Sequence, residues 1–256
     1  MKEVTVRGKT LPEAYHDALL YLTADGIDTP CPDWGTTQRE VAMTMIVQEP
    51  LCEPMISRCF IGGFRELEQY RQEMLDGILD FEIERGNWTY TYHDRMVNYH
   101  GINQVDFVID ELKRNPYSRR AVIVVRDVDV DAGNTDPACL QHLQYFVHEG
   151  KLDCVAMFRS NDACKATFMN AFALIMLQKR IADALGVEVG TYTHRANRFH
   201  CYEKDLDLLH GYVHRILAGK DLTYDYADEW ELMMEDEKPA IEAAVRALKG
   251  GESWRG

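Results

Sequence analysis

The chain has 256 residues, 46% hydrophobic and 27% charged, a balance that suits one globular domain spanning residues 1–256 with a sizeable core. Its formal net charge of −14 repels nucleic-acid backbone and anionic membrane, so neither is expected as a partner, and an anionic small substrate would have to be met by a few local arginines. No stretch approaches the roughly 18 consecutive apolar residues of a membrane span, and Met1 to Leu11 is charged without a signal-peptide apolar centre, which points to the cytoplasm.

Thr10-Leu11-Pro12-Glu13 has the spacing of a capping box, and Leu11, Ala14, Ala18, Leu19 and Leu22 then recur at helical spacing, predicting a first helix that runs toward Gly26. Residues 26–39, with Pro30, Pro32, Asp33 and Gly35, read as a loop, and the unbroken run Val41 to Val47 reads as a strand. Phe64, Leu67, Tyr70, Met74, Leu75 and Ile78 form a helical stripe over Phe64 to Leu79. A further helix over Asn103 to Lys113 stops before Asn115-Pro116, and Ala121 to Val125 reads as a buried strand. His142 to Val147 and Leu152 to Phe158 flank Glu149-Gly150 as a hairpin. Thr167 to Leu185 is apolar almost all round, which predicts a central buried helix ending at Gly186. Val187 to Thr193 alternates as a strand, Glu203 to Leu217 is an amphipathic helix, and the acidic segment Asp225 to Leu248 closes with a surface helix.

Seven cysteines lack the spacing of a zinc site and the density of a disulfide scaffold, so reduced thiols and no metal are expected. Four features exceed what a core requires. Arg119-Arg120 stands beside Ser118 at a strand start; adjacent arginines are ordinarily a solvated turn, but two guanidiniums also cradle a phosphate. Asp136-Pro137-Ala138-Cys139 puts a thiol in a loop before a strand, where a nearby Arg could activate it. Arg159-Ser160-Asn161-Asp162 sets four polar side chains between an apolar strand and a buried helix, either as a turn and cap or as a ligand site. Asn170 is an amide within that apolar helix and must find hydrogen-bond partners, while His200 and Tyr202, two apart on a strand end, point to the same side.

The order of these features identifies a family. Ser118-Arg119-Arg120, Pro137-Ala138-Cys139, Gly150-Lys151-Leu152, Arg159-Ser160-x-Asp162, Phe168-x-Asn170, Gly186-x-Glu188-Val189-Gly190 and His200-x-Tyr202 together resemble the thymidylate synthases over about half the chain. The resemblance implies an α+β fold with a large mixed β-sheet packed with helices, two such sheets standing back to back in a homodimer. It implies that Cys139 adds to carbon 6 of a pyrimidine nucleoside monophosphate, so that carbon 5 attacks the one-carbon unit of 5,10-methylenetetrahydrofolate. Arg159 and Ser160 would hold the phosphate, with Arg159 favouring the thiolate of Cys139. Arg119 and Arg120 would reach across the dimer to the partner's phosphate site. Asp162 would hold folate and order the site, His200 and Tyr202 would contact the sugar hydroxyl, and Asn170 would read the base edge in favour of uracil. Tyr92, in Tyr90-Thr91-Tyr92-His93, resembles the tyrosine near the cysteine; Arg39 is the candidate for an additional phosphate arginine, and Glu73 or Glu68 for the general-base glutamate.

The chain also departs from the family. Leu140 replaces the histidine that follows the cysteine, and Asn197-Arg198 replaces the Gly-Asp before His-x-Tyr. The N-terminal half lacks the Glu-Leu-Leu-Trp-Phe helix, and Glu252-Ser253-Trp254-Arg255-Gly256 lacks the terminal valine of a tail that closes over folate. These departures bring in the archaeal-type synthases and the pyrimidine hydroxymethylases, in which water quenches the same intermediate. The leading expectation is reductive methylation of dUMP to dTMP. Hydroxymethylation of dUMP, dCMP or CMP is the second, and a non-catalytic nucleotide-binding protein on the same fold the third. No flavin motif accompanies the resemblance.

Overall fold

The computed structural model describes residues 2–250; the C-terminal segment Glu252 to Gly256 lies outside the described residues. β1 (Glu3–Gly8) lies parallel to β3 (Thr36–Val47), with α1 (Leu11–Asp25) and β2 (Ile27–Cys31) between them in the chain. α1 begins with the expected capping box: the Thr10 hydroxyl accepts from the Glu13 N–H, and the Glu13 carboxylate accepts from the Thr10 N–H. Its stripe of Leu11, Ala14, Ala18, Leu19 and Leu22 is fully buried.

Residues 26–39 are not a loop. β2 pairs antiparallel with residues 36–40 of β3 through a 3-10 turn at Pro32–Trp34 and Gly35, whose φ of 61° suits glycine. Pro30 is tolerated because β2 pairs with β3 alone, so the absent N–H can lie on the open edge. β1 also goes beyond the sequence reading, since only Val6 and Gly8 of its six residues are buried.

β4 (Ile56–Ser57) precedes α2 (Phe64–Asp76), which ends at Gly77 in the left-handed region, short of the predicted Leu79. Two short helices follow, α3 (Phe81–Glu84) and α4 (Tyr92–Val97), then α5 (Gln104–Arg114), capped by the Asn103 side chain. β5 (Val122–Val124) and a further short helix, α6 (Val128–Asp131), lead to the predicted hairpin of β6 (Leu140–His148) and β7 (Lys151–Phe158). Its turn residues Glu149 and Gly150 both have positive φ, the geometry that matches strand twist. β8 (Asn161–Asp162), α7 (Thr167–Leu185), β9 (Glu188–Tyr202), α8 (Leu206–Leu217), β10 (Thr223–Tyr224) and α9 (Glu231–Lys249) complete the described chain.

The result is the expected α+β architecture: an eight-stranded mixed sheet in the order β1-β3-β9-β7-β6-β5, with β2 beside β3 and β8 beside β9, and a small ribbon of β4 with β10. α7 packs on β7 and β9 and buries Phe168, Ala171, Phe172, Leu174 and Ile175, each large apolar side chain contributing roughly 1.5–3 kcal/mol. The Phe168 ring lies 4.9 Å from Phe60 and 5.5 Å from Tyr15, tying α7 to the N-terminal half.

Along β7, Leu152, Cys154, Ala156 and Phe158 are buried under the helices, whereas Val155 and Met157 on the opposite face are half-exposed. Two cross-strand rows run over that second face: Ile46, Thr193, Val155, Gln144 and Val122, and Thr44, Arg195, Met157, His142 and Val124. No described helix is long and apolar enough to cross a membrane.

Candidate active site

Cys139 stands one residue before β6, and the β6/β7 ladder continues past the Leu140–Phe158 pair to it, because the Arg159 N–H donates to the Cys139 carbonyl at 2.9 Å. The Arg159 side chain grips the same loop: Nε donates to the Ala138 carbonyl at 3.1 Å and a terminal nitrogen to the Pro137 carbonyl at 2.5 Å. A guanidinium is thereby fixed beside the thiol by backbone it partly restrains. Burial pushes the Cys139 thiol up, Arg159 pulls it down, and Asp136 pushes it up. The expected effect of Arg159 thus has the right sign, but in the ligand-free chain burial outweighs it.

A cavity of about 350 Å³ opens over Cys139, lined also by Tyr70, Tyr92, Arg159, Ser160, Asp162, Asn170, His200 and Tyr202. Three elements converge on it: the segment after β7, the start of α7 and the end of β9. β8 joins them, since it pairs parallel with β9 and brings Asp162 opposite His200. One Asp162 oxygen accepts the N–H groups of Cys164 and Lys165, both at 2.9 Å, which shapes the entry to α7. The Tyr92 hydroxyl accepts from the Leu140 N–H at 3.3 Å, so it sits against the backbone next to the thiol. Burial raises the Tyr92 phenol well above its ordinary value and the Tyr202 phenol to about 12, so both are neutral donors.

His200 is 4% exposed, and burial lowers its pKa. Its Nδ1 lies 3.2 Å from the Arg198 carbonyl and 3.1 Å from the Ser160 hydroxyl, while Nε2 is buried with no partner. A neutral imidazole donating from Nδ1 to that carbonyl leaves Nε2 as a lone-pair acceptor. Asn170, 4% exposed, takes a short hydrogen bond at Oδ1 from the Tyr70 hydroxyl.

Not every candidate reaches this cavity. Arg39, the candidate for an additional phosphate arginine, is not among the lining residues: its guanidinium donates to the Leu22 and Thr23 carbonyls at the end of α1 and pairs with Asp28 at 3.0 Å. Glu68 is buried against Arg71, Gln72 and Lys238 and is likewise a packing charge. Glu73 lines a neighbouring cavity of about 220 Å³ with Leu79, Asp80, Trp88, Tyr90 and Thr91, separated from Cys139 by Tyr70 and Tyr92, which face both spaces. Burial raises the Glu73 carboxyl, and the Gln69 amide donates to it at 2.8 Å. Arg119 and Arg120 are exposed and line neither cavity.

Several lining residues escaped sequence reasoning. Cys31, Asp33 and Trp34 come from the β2/β3 connection, Gln38 from β3 and Tyr70 from α2. Tyr70 was visible only as one member of a helical apolar stripe, and the others lay in the segment read as a loop. Arg198 lines the cavity too, at a position where the sequence departs from the pattern it otherwise follows.

Comparison with known proteins converges on one group. The thymidylate synthase family profile matches residues 36–225. A chain of Methanocaldococcus jannaschii named "Putative thymidylate synthase" is 35% identical, with 81% of this chain and 95% of that one covered, and one of Methanosarcina barkeri with the same name is 30% identical, with 81% and 94% covered. A Bacillus licheniformis thymidylate synthase is 35% identical over 45% of this chain and 42% of its own. The thermostable thymidylate synthase A of Bacillus subtilis superposes with a TM-score of 0.63 at 19% identity, covering 80% of this chain and 84% of that one, which extends the likeness to the fold. The profile takes in the loop of Cys139, the turn of Arg159, the helix of Asn170 and the strand of His200, and the chain belongs to the thymidylate synthase family.

Proposed function

We propose that the protein transfers a one-carbon unit from 5,10-methylenetetrahydrofolate to carbon 5 of dUMP, forming dTMP through a covalent bond between Cys139 and carbon 6 of the uracil. The observation that carries this reading is the convergence of a thiol, a guanidinium, a buried amide and the buried Nε2 of His200, without a partner among the described residues, on one cavity. An orphaned buried acceptor is costly unless a ligand fills it, and a sugar hydroxyl does so.

The chemistry follows from the residues. A phosphate meets Arg159 and Ser160, the sugar hydroxyl donates to His200 beside Tyr202, and Asn170 pairs with the base edge. Cys139, as thiolate, adds its electron pair to carbon 6, and the displaced pair makes carbon 5 a nucleophile toward the one-carbon unit. Loss of the carbon 5 proton and cleavage of the carbon–sulfur bond then return the thiolate. Bound folate supplies the one-carbon unit and the hydride that completes the methyl group. The neighbouring cavity, walled by Trp88 and Tyr90, suits a flat ring system next to the nucleotide. Tyr92 orients the cysteine loop, Asp162 holds the folate side, and Glu73, whose carboxyl is pushed up by burial, handles protons near the base.

The active form in this reading is a cytoplasmic homodimer. Arg119 and Arg120 are exposed and absent from their own chain's cavity, and the half-exposed sheet face offers a surface for back-to-back pairing, so each subunit lends both arginines to its partner's phosphate site. The test is incubation with methylenetetrahydrofolate and, separately, dUMP, dCMP, UMP and CMP, following nucleotide mass and dihydrofolate absorbance. Added CH2 with dihydrofolate on dUMP alone is expected, and Cys139→Ala abolishes it. Added CH2O without dihydrofolate would make the protein a hydroxymethylase, and unchanged nucleotide in every case would make it a binding protein.

A further inference from the structure

We infer that Tyr70 is a specificity-determining residue: its hydroxyl locks the side-chain amide of Asn170 in one orientation, and that lock separates uracil from cytosine nucleotides. The inference rests on the nucleotide reading above and concerns a residue of α2 that the sequence pattern leaves among core positions.

An asparagine is ambiguous as a reader of bases. Rotating the amide by half a turn exchanges its acceptor and its donor, so one orientation pairs with the N3–H and O4 of uracil and the other with N3 and the amino group of cytosine. With the base held in register by the bond to Cys139 and by the phosphate and sugar contacts, the orientation of Asn170 decides which base fits. Something must therefore fix it.

Among the described residues the only side-chain partner of the Asn170 amide is Tyr70, whose hydroxyl donates to Oδ1. The reverse arrangement, the amide donating to the phenol oxygen, would leave the phenol proton without an acceptor, since the Tyr70 hydroxyl has no other partner among the described residues. An unmet buried donor costs more than an unused lone pair on the oxygen, so Oδ1 stays on the Tyr70 side. Burial also holds the phenol in its protonated form, which keeps it a donor at any pH the protein experiences. A carbonyl oxygen has two lone pairs. With one taken by Tyr70, Oδ1 can still accept the uracil N3–H while Nδ2 donates to O4.

The orientation survives only while both ends of the contact hold their places. α2 and α7 pack directly, and both are anchored by buried apolar side chains, Leu67 and Met74 on α2 and Phe168 and Phe172 on α7, so Tyr70 acts from a packed helix rather than a loop. Tyr70 touches the reader of the base and faces the cavity, and it also borders the second cavity.

The experiment is equilibrium binding of dUMP and dCMP by calorimetry to the unaltered protein, to Tyr70→Phe and to Tyr92→Phe. Tyr92→Phe is the control, because it removes a hydroxyl from the same cavity wall without touching Asn170. The expected result is a dUMP-over-dCMP preference that falls roughly tenfold in Tyr70→Phe, chiefly by tighter dCMP binding, and is unchanged in Tyr92→Phe. A preference that stays the same in Tyr70→Phe, with both nucleotides weakened equally, overturns the assignment of Tyr70 while leaving the nucleotide site standing. Binding of neither nucleotide by the unaltered protein overturns the nucleotide reading and this inference with it. Should Tyr70→Phe lose its cooperative thermal transition, Tyr70→Leu replaces it, with the same two outcomes.

Discussion

Arg39 closes the end of α1. The last turn of a helix leaves carbonyls without intrahelical partners, and the Arg39 guanidinium meets that of Thr23 at 2.9 Å, shares that of Leu22 at 3.1 Å with the Gly26 N–H, and pairs with Asp28. Arg39→Ala is expected to destabilise the fold by about 1.5–3 kcal/mol in urea titrations, the range for hydrogen bonds made by a charged donor, with dUMP affinity unchanged. A loss of affinity without a loss of stability would show instead that the side chain swings to the phosphate. Arg39 shows where residue-level reading leaves two roles open. An arginine out of place in an acidic chain signals a phosphate or a helix end equally well, and only the path of β2 decides between them. Cys139, Arg159, Ser160, Asp162, Asn170, His200 and Tyr202 were legible as a group because each sits at a strand or helix terminus in a fixed order, and the structure brings all seven to one cavity. Tyr70 was not, because a tyrosine on an apolar stripe looks the same whether its hydroxyl points to water or to a buried amide.

β9 is the element that sequence pattern served least well. Alternation predicts a strand only to Thr193, yet β9 runs unbroken to Tyr202. The remainder carries His194, Arg195, Asn197, Arg198 and His200, polar residues that interrupt the apolar alternation because their partners are far away in sequence, although His200 and Tyr202 were read as a strand end. His194 shows how they are accommodated. It is fully buried, its Nε2 lies 2.8 Å from Asn161 Oδ1, and its Nδ1 lies 2.9 Å from the Tyr192 hydroxyl. Asn161 Oδ1 also accepts from the Thr167 hydroxyl, so Nε2 must carry the proton and Nδ1 must accept, the arrangement of a neutral ring. Burial accordingly lowers His194 to about 3 and, on α1, His16 to about 4, both from 6.5.

The unfolded chain therefore binds protons that the folded chain refuses across this interval. The contribution of each neutral histidine is complete above pH 6.5 and is lost as pH falls toward the folded value, by up to about 1.4 kcal/mol per unit. The urea midpoint is expected to drop between pH 6.5 and 5, and His194→Gln, which cannot take up a proton, is expected to show a shallower drop whatever its stability at pH 7. Equal slopes in the two proteins would mean that the β9 network admits a charged imidazole. By contrast, α1, α7 and the β6/β7 hairpin were legible because a capping box, an all-round apolar run and a turn at Glu149-Gly150 are local signals that packing leaves unchanged.

The whole molecule poses a question that a single chain answers only indirectly. Its helices cover one face of the sheet, and on the other face two rows of mostly uncharged side chains, including Ile46, Val155, Val122, Met157 and Val124, stay half-exposed or exposed. A sheet face of that composition is a surface made to be covered. The cavity is short of cations for a phosphate dianion, since Arg159 and Arg198 share it with Asp33, Asp136 and Asp162, while Arg119 and Arg120 stand exposed elsewhere. A back-to-back dimer resolves both at once if each subunit's arginines enter the other's cavity. This geometry has a consequence that no monomer shares. A Cys139→Ala subunit has no nucleophile but intact arginines to lend, and an Arg119→Ala, Arg120→Ala subunit has the reverse. Each homodimer alone is expected to be nearly inactive. Mixing the two under conditions that exchange subunits is expected to restore turnover, because each mixed dimer holds one cavity with both the thiol and the borrowed arginines. Sedimentation at two masses, with no recovery on mixing despite proven exchange, would place the whole phosphate site within one chain and return Arg119 and Arg120 to the role of a solvated turn.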